Sequence, residues 1–394
     1  MPTFVPFRGL RFPRDIFDES VAPPYDVLSP SDVQALRSSS GSNVTWIDVP
    51  QPSDGADPYE IAAARMTAWR ESGVLVVDDS PAFTIYRMAF VDESGHERTI
   101  SGVIGALEVV EEGAGGVLPH ERTTPKASTD RLDLTISTSA NLSPVWGLSR
   151  AVGLSDILDA PGEPLGEVTI DGVTHSVERV TDETRIRDIQ QLVEGSDVLI
   201  ADGHHRYGVA RQFLRHARDN SSPLASQAAT TMVFVNEMSP EQLAVAAIHR
   251  LYTEVEFSEL REVLMRSYSS IGVSPVDDRV LERMNDEFAI ALVSVDETVE
   301  LFVPRPEADL GDRDLDGARL ERAFRSIPHT VSYQHGVNNV VSAVKSAQAS
   351  AGILIRPVPF DEIVRTAEKG DLMPPKSTFF TPKLLTGLVI RPMD

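Results

Sequence analysis

The chain contains a short polar segment whose residues are suited to binding phosphate. Asp202, Gly203, His204, His205 and Arg206 follow one another directly after the apolar residues 198–200. Arg206 carries a planar guanidinium that matches phosphate oxygens, and each histidine can donate a hydrogen bond or carry charge. Glycine permits a sharp turn and a close approach of the backbone to a ligand. The segment therefore predicts an anion-binding turn, although a capped helix with exposed histidines would have the same composition.

A buried strand and an amphipathic helix are expected to position this segment. Residues 198–200 are typical of a short buried strand, and Asp202 is predicted to cap the helix that follows. The unpaired amides of a first helical turn and the helix dipole favour an anion there. Two adjacent histidines diverge by about 100° around a helix, so one shared metal ion is not expected. The apolar positions of the helix recur at intervals of three and four, at Tyr207, Ala210, Leu214 and Ala217.

The composition is that of a globular protein without cysteine chemistry. The chain has 394 residues, of which 41% are hydrophobic and 24% charged, and it contains no cysteine. Disulfides, thiolate nucleophiles and thiolate zinc sites are therefore excluded. A net charge of −23 without a lysine- or arginine-rich block argues against nucleic acid as the main partner. No apolar run reaches the roughly 18 residues of a membrane span, and no secretory signal is recognisable, so we expect no membrane partner and a cytoplasmic location.

The length of 394 residues allows two or three domains, and the spacing of apolar and turn-forming residues predicts an α+β fold. A strand is expected at residues 44–49, and a helix at Pro58–Ser72, with proline at its start and Gly73 after its end. Hairpins are expected at residues 82–110, around Asp171-Gly172, and at residues 288–303, with single strands at residues 230–235 and 352–355. These elements lack the regular alternation of a doubly wound sheet, which favours α+β.

Several strings along the chain resemble the bacterial domain-of-unknown-function family 1015. They are PFRGL at 6–10, VAPPYDVLS at 21–29, PHERT at 119–123 with DRL at 130–132, ADGHHRY at 201–207, IHR at 248–250, and MPPKSTFF at 373–380 with PK at 382–383. The family is similar in turn to the ParB/sulfiredoxin superfamily. This resemblance implies a ParB/sulfiredoxin-like mixed core with a strand–loop–helix phosphate site and a C-terminal α+β extension. It places a nucleotide-binding domain at residues 1–250 and a second domain, able to close over the site, at residues 251–394.

The resemblance also implies an activity. Superfamily members with an Asp-Gly-His-X-Arg motif include kinases that phosphorylate free L-serine from ADP or ATP. By this resemblance Gly203, His204, His205 and Arg206 contact the nucleotide phosphates together with Asp202, and His204 is a candidate catalytic residue. His204 stands where sulfiredoxins carry their reactive cysteine, which excludes sulfinic acid repair. The chain lacks a basic DNA-binding module, so a role in DNA partition is not expected.

Phosphoryl transfer to a hydroxyl requires a carboxylate to take the proton and Mg²⁺ to bridge phosphates. Glu121 is the predicted general base, and His120 beside it is a predicted substrate contact. Glu121 could equally serve as an ion-pair partner of Arg122 or Arg131.

Other candidates lie at the two ends of the chain. Tyr25 and Asp26 follow two prolines on a stiff loop and are predicted to contact substrate, although Asp26 could simply turn the chain. Lys376 and Ser377 lie in a proline-rich segment that could reach a phosphate or carboxylate, or be a protected edge strand. Asp202 is the predicted Mg²⁺ ligand, although capping alone would explain it.

Three functions are compatible with these residues. The first is a small-molecule kinase that uses ADP or ATP with Mg²⁺, with free L-serine as the first acceptor to test. The second is a phosphate-ester hydrolase, in which water replaces the hydroxyl acceptor at the same anion site. The third is a nucleotide-sensing module without catalysis. The phosphoryl donor, the acceptor and the oligomeric state stay open at this stage.

Overall fold

The chain forms two compact units. The computed structural model describes residues 1–53, 55–92, 95–111, 113–119, 128–370, 372–374 and 376–394, without the side chains of residues 128 and 129. The first unit consists of Met1–Pro119, Thr123–Leu243 and Pro382–Asp394, and the second is formed mainly by Ala244–Thr381.

Helices and strands are mixed along the described part of the chain, and the predicted α+β class is confirmed. The helices are α1 (Phe17–Ser20), α2 (Pro30–Ser39), α3 (Thr45–Asp48), α4 (Pro58–Ser72), α5 (Ser128–Thr138), α6 (Leu154–Asp159), α7 (Glu183–Glu194), α8 (His204–Asp219), α9 (Ala225–Ala228), α10 (Phe257–Ser267), α11 (Val280–Asp286), α12 (Asp316–Ala323), α13 (Val337–Lys345) and α14 (Phe360–Lys369). The strands are β1 (Phe4–Val5), β2 (Leu10–Arg11), β3 (Val76–Val77), β4 (Phe83–Val91), β5 (Glu97–Glu108), β6 (Val117–Pro119), β7 (Ala140–Asn141), β8 (Val145–Ser149), β9 (Glu163–Ile170), β10 (Val173–Val180), β11 (Val198–Asp202), β12 (Thr230–Glu237), β13 (Val245–Ala246), β14 (His249–Thr253), β15 (Tyr268–Pro275), β16 (Ile290–Val293), β17 (Thr298–Pro304), β18 (Thr330–Gln334), β19 (Ala351–Leu354), β20 (Phe379–Phe380) and β21 (Arg391–Pro392). No helix in these described ranges is both long and apolar enough to cross a bilayer.

A nine-stranded mixed sheet organises the first unit. Its order is β6-β11-β8-β12-β5-β4-β10-β9, and β1 pairs with β5. The predicted hairpins β4–β5 and β9–β10 are both present as antiparallel pairs. In the second hairpin Asp171 and Gly172 have φ angles of 50° and 77°, as a two-residue turn of this type requires. The hairpin predictions are therefore confirmed.

The strand that leads into the polar segment lies inside this sheet. β11 pairs in parallel with β6 and antiparallel with β8, and all its residues except Asp202 are buried. Val198 and Ile200 belong to one hydrophobic core together with Tyr207 of α8. The end of β11 and the start of α8 are thus fixed by the same core.

The second unit contains a six-stranded sheet of its own. Its order is β15-β17-β16-β19-β14-β18, and β13 pairs separately with β20. The predicted hairpin at residues 288–303 is confirmed as β16 and β17, and the predicted strand near residue 353 is β19.

The prediction of a strand at residues 44–49 is wrong, because the structure has the short helix α3 there. Val44 and Ile47 are buried on one side of this turn, at a spacing of three. The side chain of Asn43 accepts hydrogen bonds from the amide and hydroxyl of Thr45, which stabilises the start of a helical turn. These tertiary and capping contacts override the β-propensity of the valines and isoleucine.

Candidate functional site

Gly203 turns the chain between β11 and α8. Its φ of 82° and ψ of 28° are left-handed, and it occupies the N-cap position of α8 without any side-chain cap. The prediction that Asp202 caps the helix is therefore wrong. Asp202 is the last residue of β11, and the turn at Gly203 directs its carboxylate to two cations instead. No side chain at the N-cap position competes for the first-turn amides of α8, and a helix N terminus of this kind favours an anion.

Arg206 is held against this turn by contacts on both sides. Its Nη1 donates to the carbonyl oxygen of Pro144, and its Nη2 donates to Oδ2 of Asp202 across 3.4 Å. A Cβ atom added to Gly203 would lie 3.0 Å from Nε of Arg206, so the guanidinium rests on the glycine. The Arg206 side chain is only 10% exposed. Because it is ordered in advance, this arginine would lose little rotamer freedom on binding a ligand.

Asp202 is the centre of a small charge cluster. Nζ of Lys383 lies 3.4 Å from Oδ2, the same oxygen that Arg206 contacts. Burial opposes ionisation of Asp202, but Lys383, Arg206 and His204 together outweigh it and lower the pKa of the carboxyl. Asp202 is therefore a carboxylate at neutral pH.

Tyr207 anchors the first turn of α8 to the central strand of the sheet. Its hydroxyl donates to the carbonyl of Glu108 across 3.0 Å and accepts from the amide of Val110 at 2.9 Å. Burial raises the pKa of the Tyr207 hydroxyl to about 12, so it keeps its proton at neutral pH. These two hydrogen bonds connect the end of β5 and the residues after it to the first turn of α8, which contains most of the polar segment.

A cavity of about 60 Å³ opens beside Arg206 within the first unit. Its lining includes Tyr25, Asp48, Arg131 and Arg206, which we call the polar wall. The lining also includes an apolar set, the apolar floor, formed by Leu134, Leu142, Val209, Ala210, Phe213 and Met393. A water molecule needs roughly 10–15 Å³ on this measure, so the cavity has room for a phosphate group or a small organic molecule.

The polar wall is held together by Arg131. Its guanidinium lies 4.3 Å from the centre of the Tyr25 ring, and its Nη1 donates to the backbone oxygen of Asp48 at 2.7 Å and to Oδ1 at 3.3 Å. Its Nε and Nη2 both contact Oδ2 of Asp130 at 2.8 Å. The wall thus places two arginines, a phenol and one carboxylate around a common space.

Burial changes the acidity of two groups in this wall. It raises the pKa of the Asp48 carboxyl, and the nearby Arg131 and Arg206 only partly offset this effect. Burial likewise raises the pKa of the Tyr25 hydroxyl against the opposing influence of Arg206. Asp48 is thus a carboxyl group with an unusual affinity for a proton.

The structure brings some of the predicted site residues together and leaves others apart. Tyr25 and Arg206 share the cavity, whereas Asp26 is exposed and is absent from its lining. His204 and His205 lie half-buried in the first turn of α8. His120 and Glu121 lie outside the described residues.

Two further predicted residues belong to the second unit. Ser377 donates its hydroxyl to the carbonyl of Pro374 at 2.7 Å, and Lys376 accepts through its backbone oxygen from Nη2 of the buried Arg250 at 3.4 Å. Ser377 also lines a small cavity of that unit with Arg250 and Arg356. Lys376 has a positive φ of 59°, and its side chain is exposed.

The described residues provide few ligands for a magnesium ion. They include no group of three or more histidine or acidic side chains that could hold a metal. Asp202 is ionised, and Arg206 and Lys383 both contact its Oδ2. Mg²⁺ is often held by a single carboxylate together with phosphate oxygens and water. Asp202 is therefore the described residue whose chemistry suits a magnesium ion at this turn.

A comparison with protein families identifies the chain. The profile of the family described as "Protein of unknown function (DUF1015)" matches residues 4–319. The chain belongs to the DUF1015 family. This confirms the family identification made from the strings in the sequence. A comparison with curated proteins found no match.

Solved structures similar to this DUF1015 protein are distant. A mutant free serine kinase in complex with AMP is 12% identical with a TM-score of 0.37, over 68% of this chain and 84% of that chain. A conserved hypothetical protein from Pyrococcus furiosus is 13% identical with a TM-score of 0.33, over 68% and 89%. A C-terminally truncated SbnI from Staphylococcus aureus is 12% identical with a TM-score of 0.38, over 72% and 85%. Similarities with TM-scores this low bear on neither the substrate nor the mechanism of the chain.

The DUF1015 match covers the whole polar wall and the turn at Gly203, but it ends before Lys383. Sequence reasoning did not find Asp48 or Lys383 as site residues, and it considered Arg131 only as a partner of Glu121. Asp48 lies within residues 44–49, which were predicted to form a strand and gave no indication of a site. The available signal for Arg131 and Lys383 was that each lies in a string shared with the family, at residues 130–132 and 382–383.

Proposed function

We propose that this DUF1015 protein is a small-molecule kinase that transfers a phosphoryl group from ADP or ATP to a hydroxyl acceptor. The observation that supports it best is the start of α8, where the N-cap residue Gly203 has no side chain and the largely buried Arg206 packs against it. Amides at a helix N terminus and a guanidinium are the donors that phosphate oxygens prefer. The resemblance of residues 201–207 to nucleotide-using kinases suggests that the phosphate belongs to a nucleotide.

In this proposal the residues of the turn act by position and charge. The first-turn amides and Arg206 hold the phosphates, and Lys383 supplies a further positive charge close to the same point. Mg²⁺ bound with the nucleotide would neutralise phosphate charge, and the carboxylate of Asp202 is the group that would hold it. The acceptor oxygen forms a bond to phosphorus while the bond from phosphorus to the leaving phosphate breaks. L-Serine is the first acceptor to test, since its carboxylate suits an arginine and its hydroxyl can accept the phosphoryl group.

Phosphorus NMR of the purified protein tests the reaction directly. Samples contain Mg²⁺ with ADP or ATP, and each is run with and without L-serine or another small alcohol. A phosphomonoester signal that requires the alcohol is the expected result. Inorganic phosphate alone would instead indicate a hydrolase, and unchanged nucleotide would contradict both enzymatic functions.

Calorimetry on Arg206→Ala tests the phosphate site separately. Loss of a charge-assisted contact should weaken nucleotide binding by about 1.5–3 kcal/mol, which is roughly a 10- to 150-fold rise in Kd. Arg218→Ala is the matched control, because Arg218 is an exposed arginine in the last turn of the same helix. Equal affinities in the wild type and Arg206→Ala would contradict the assignment of the turn. Tight binding without turnover in the wild type would indicate a nucleotide sensor.

A further inference from the structure

Asp48 is the one acidic residue that lines the cavity in the described part of the chain. Its side chain is 5% exposed, and it shares the polar wall with Tyr25, Arg131 and Arg206. A carboxylate withdrawn from water is costly unless it is well paired. Such a group in a cleft beside charged partners is a candidate for acid–base chemistry.

Asp48 is positioned rigidly at the end of α3. The side-chain amide of Asn43 donates to the carbonyls of Glu19 and Val21, and the amide of Val44 donates to the carbonyl of Ser20 at 2.7 Å. Nη2 of Arg37 donates to the carbonyls of Thr45 and Val49, at 2.8 and 2.5 Å. The backbone on either side of Asp48 is therefore fixed, as a group that must meet a substrate requires.

Holding Arg131 in place does not account for the carboxylate of Asp48. Arg131 already has two contacts of 2.8 Å to Asp130, and its shorter bond to Asp48, at 2.7 Å, goes to the backbone oxygen. The contact with the carboxylate oxygen Oδ1 is 3.3 Å long. A backbone carbonyl would be supplied by any residue at this position. The buried carboxylate thus contributes the weakest of the contacts that position Arg131.

The charges around Asp48 come from several elements. Arg131 and Arg206 approach it from α5 and α8, and they favour its ionised form. Asp26 and Asp130 favour the protonated form, and burial does so more strongly than either. Tyr25 completes the surroundings with a hydroxyl that keeps its proton. A carboxylate in this setting is a stronger base than an exposed aspartate.

The size and lining of the cavity restrict what can occupy it. A volume of about 60 Å³ encloses roughly four to six non-hydrogen atoms, on the scale of 10–15 Å³ for each water-sized position. The apolar floor favours a carbon-rich part of the ligand, while the polar wall suits a hydroxyl. A short-chain alcohol or hydroxy acid matches both the size and the mixed lining of the cavity.

We propose that this cavity is the acceptor site of the kinase, that it binds a small hydroxyl compound with an aliphatic part, and that Asp48 takes the hydroxyl proton. This inference rests on the proposed function. The O–H bond of the acceptor breaks as its oxygen bonds to phosphorus, and the proton passes to the Asp48 carboxylate. The bond between phosphorus and the leaving phosphate breaks with its electron pair on the nucleotide product. Asp48 then returns the proton to solvent.

Asp48 thereby takes the role that sequence reasoning assigned to Glu121. Asp48→Asn keeps the size of the side chain and removes the base. With ATP, Mg²⁺ and the alcohol that gives the largest phosphomonoester signal, kcat should fall about 100- to 10,000-fold. The Kd for ATP should change less than about threefold, and the acidic limb of the pH profile of kcat should disappear.

Asp130→Asn is the matched control, because Asp130 also pairs with Arg131 but does not line the cavity. Its kcat should fall much less, and its pH profile should keep the acidic limb. If Asp48→Asn and Asp130→Asn lose activity equally and both keep the acidic limb, Asp48 only positions Arg131 and the inference is wrong. A kcat for Asp48→Asn within about threefold of wild type would also overturn it.

A second variant covers the case in which Asp48→Asn does not fold. Ala210→Leu adds carbon atoms to the apolar floor, so it should raise the KM for the alcohol at least tenfold with an unchanged Kd for ATP. An unchanged KM in a folded Ala210→Leu protein would refute the cavity as acceptor site. A wild type that phosphorylates no alcohol would overturn the proposed function and this inference together. An active wild type with an active Asp48→Asn would overturn the inference alone.

Discussion

Replacing Gly203 with alanine separates the contribution of the turn to stability from its contribution to binding. A side chain at φ 82° costs about 1–2 kcal/mol, because Cβ crowds the following carbonyl in the left-handed region. The new Cβ would also lie 3.0–3.1 Å from Nε, Cζ and Nη2 of Arg206, so the guanidinium must shift by a few tenths of an ångström. We expect this shift to weaken the bonds of Arg206 to Pro144 and Asp202 and to displace the guanidinium from its position at the turn.

The magnitudes of the two effects differ. Arg206 displaced from the turn should forfeit about 1.5–3 kcal/mol of nucleotide affinity, which raises Kd roughly 10- to 150-fold. Calorimetry with ATP and Mg²⁺ measures this effect, and denaturant unfolding measures the loss of stability.

Gly73→Ala is the matched control for this experiment. Gly73 ends α4 at a φ of 80°, and a Cβ there would meet nothing within 4 Å. Both variants should lose a similar 1–2 kcal/mol of stability, whereas only Gly203→Ala should lose affinity. If Gly203→Ala binds ATP as the wild type does, Arg206 does not contact the phosphates and the reasoning about the turn is refuted.

Two further predictions concern stability. Burial lowers the pKa of His175 from 6.5 to about 4. As the pH falls below 6.5, the histidine therefore becomes protonated in the unfolded chain while it stays neutral in the folded chain. The free energy of unfolding should fall by up to about 3 kcal/mol between pH 6.5 and pH 4. His175→Gln should flatten this dependence in denaturant titrations, while His96→Gln, at a histidine that is 79% exposed, should leave it unchanged. Tyr207→Phe leaves the amide of Val110 without its acceptor and should cost about 1–3 kcal/mol of unfolding free energy. Tyr59→Phe, which removes only an exposed bond to Asp130, should cost much less, and equal losses would contradict the anchoring role of Tyr207.

Elements with complete local signals could be predicted from the sequence. Helix α4 has Asp57 as its cap, proline at its first position and Gly73 in a left-handed C-cap, and its predicted bounds match the structure. The hairpin at Asp171-Gly172 follows from two residues that tolerate positive φ. In both cases the information that determines the element lies within the element itself.

The errors arose where distant contacts determine the local structure. Residues 44–49 have the β-branched composition of a strand, but Asn43, together with the burial of Val44 and Ile47, produces a helical turn. Asp202 has the composition of a cap, but Arg206 and Lys383 draw its carboxylate away from the helix. Neither set of contacts produces a periodic pattern in the sequence from which it could be predicted.

The arrangement of the candidate site was harder to predict than its phosphate turn. Arg206 and Gly203 are neighbours in sequence, so their chemistry could be inferred together. Asp48 and Arg131 are 83 residues apart and meet because α3 and α5 both pack against α4. Such a contact depends on the tertiary fold, so it cannot be predicted from the local pattern of a single sequence.

The last residues of the chain have a consequence for biosynthesis. Pro382–Asp394 belong to the first unit, where β21 pairs with β7, Ile390 bonds to Leu10, and the 2%-exposed Arg391 donates to the carbonyl of Thr230. Most of the second unit is encoded between these residues and the rest of the first unit. During translation the first unit therefore cannot complete its hydrophobic core until the second unit has been synthesised. Lys383 also reaches Asp202 only after this step, so a nascent chain acquires its complete charge cluster only once the second unit has been synthesised.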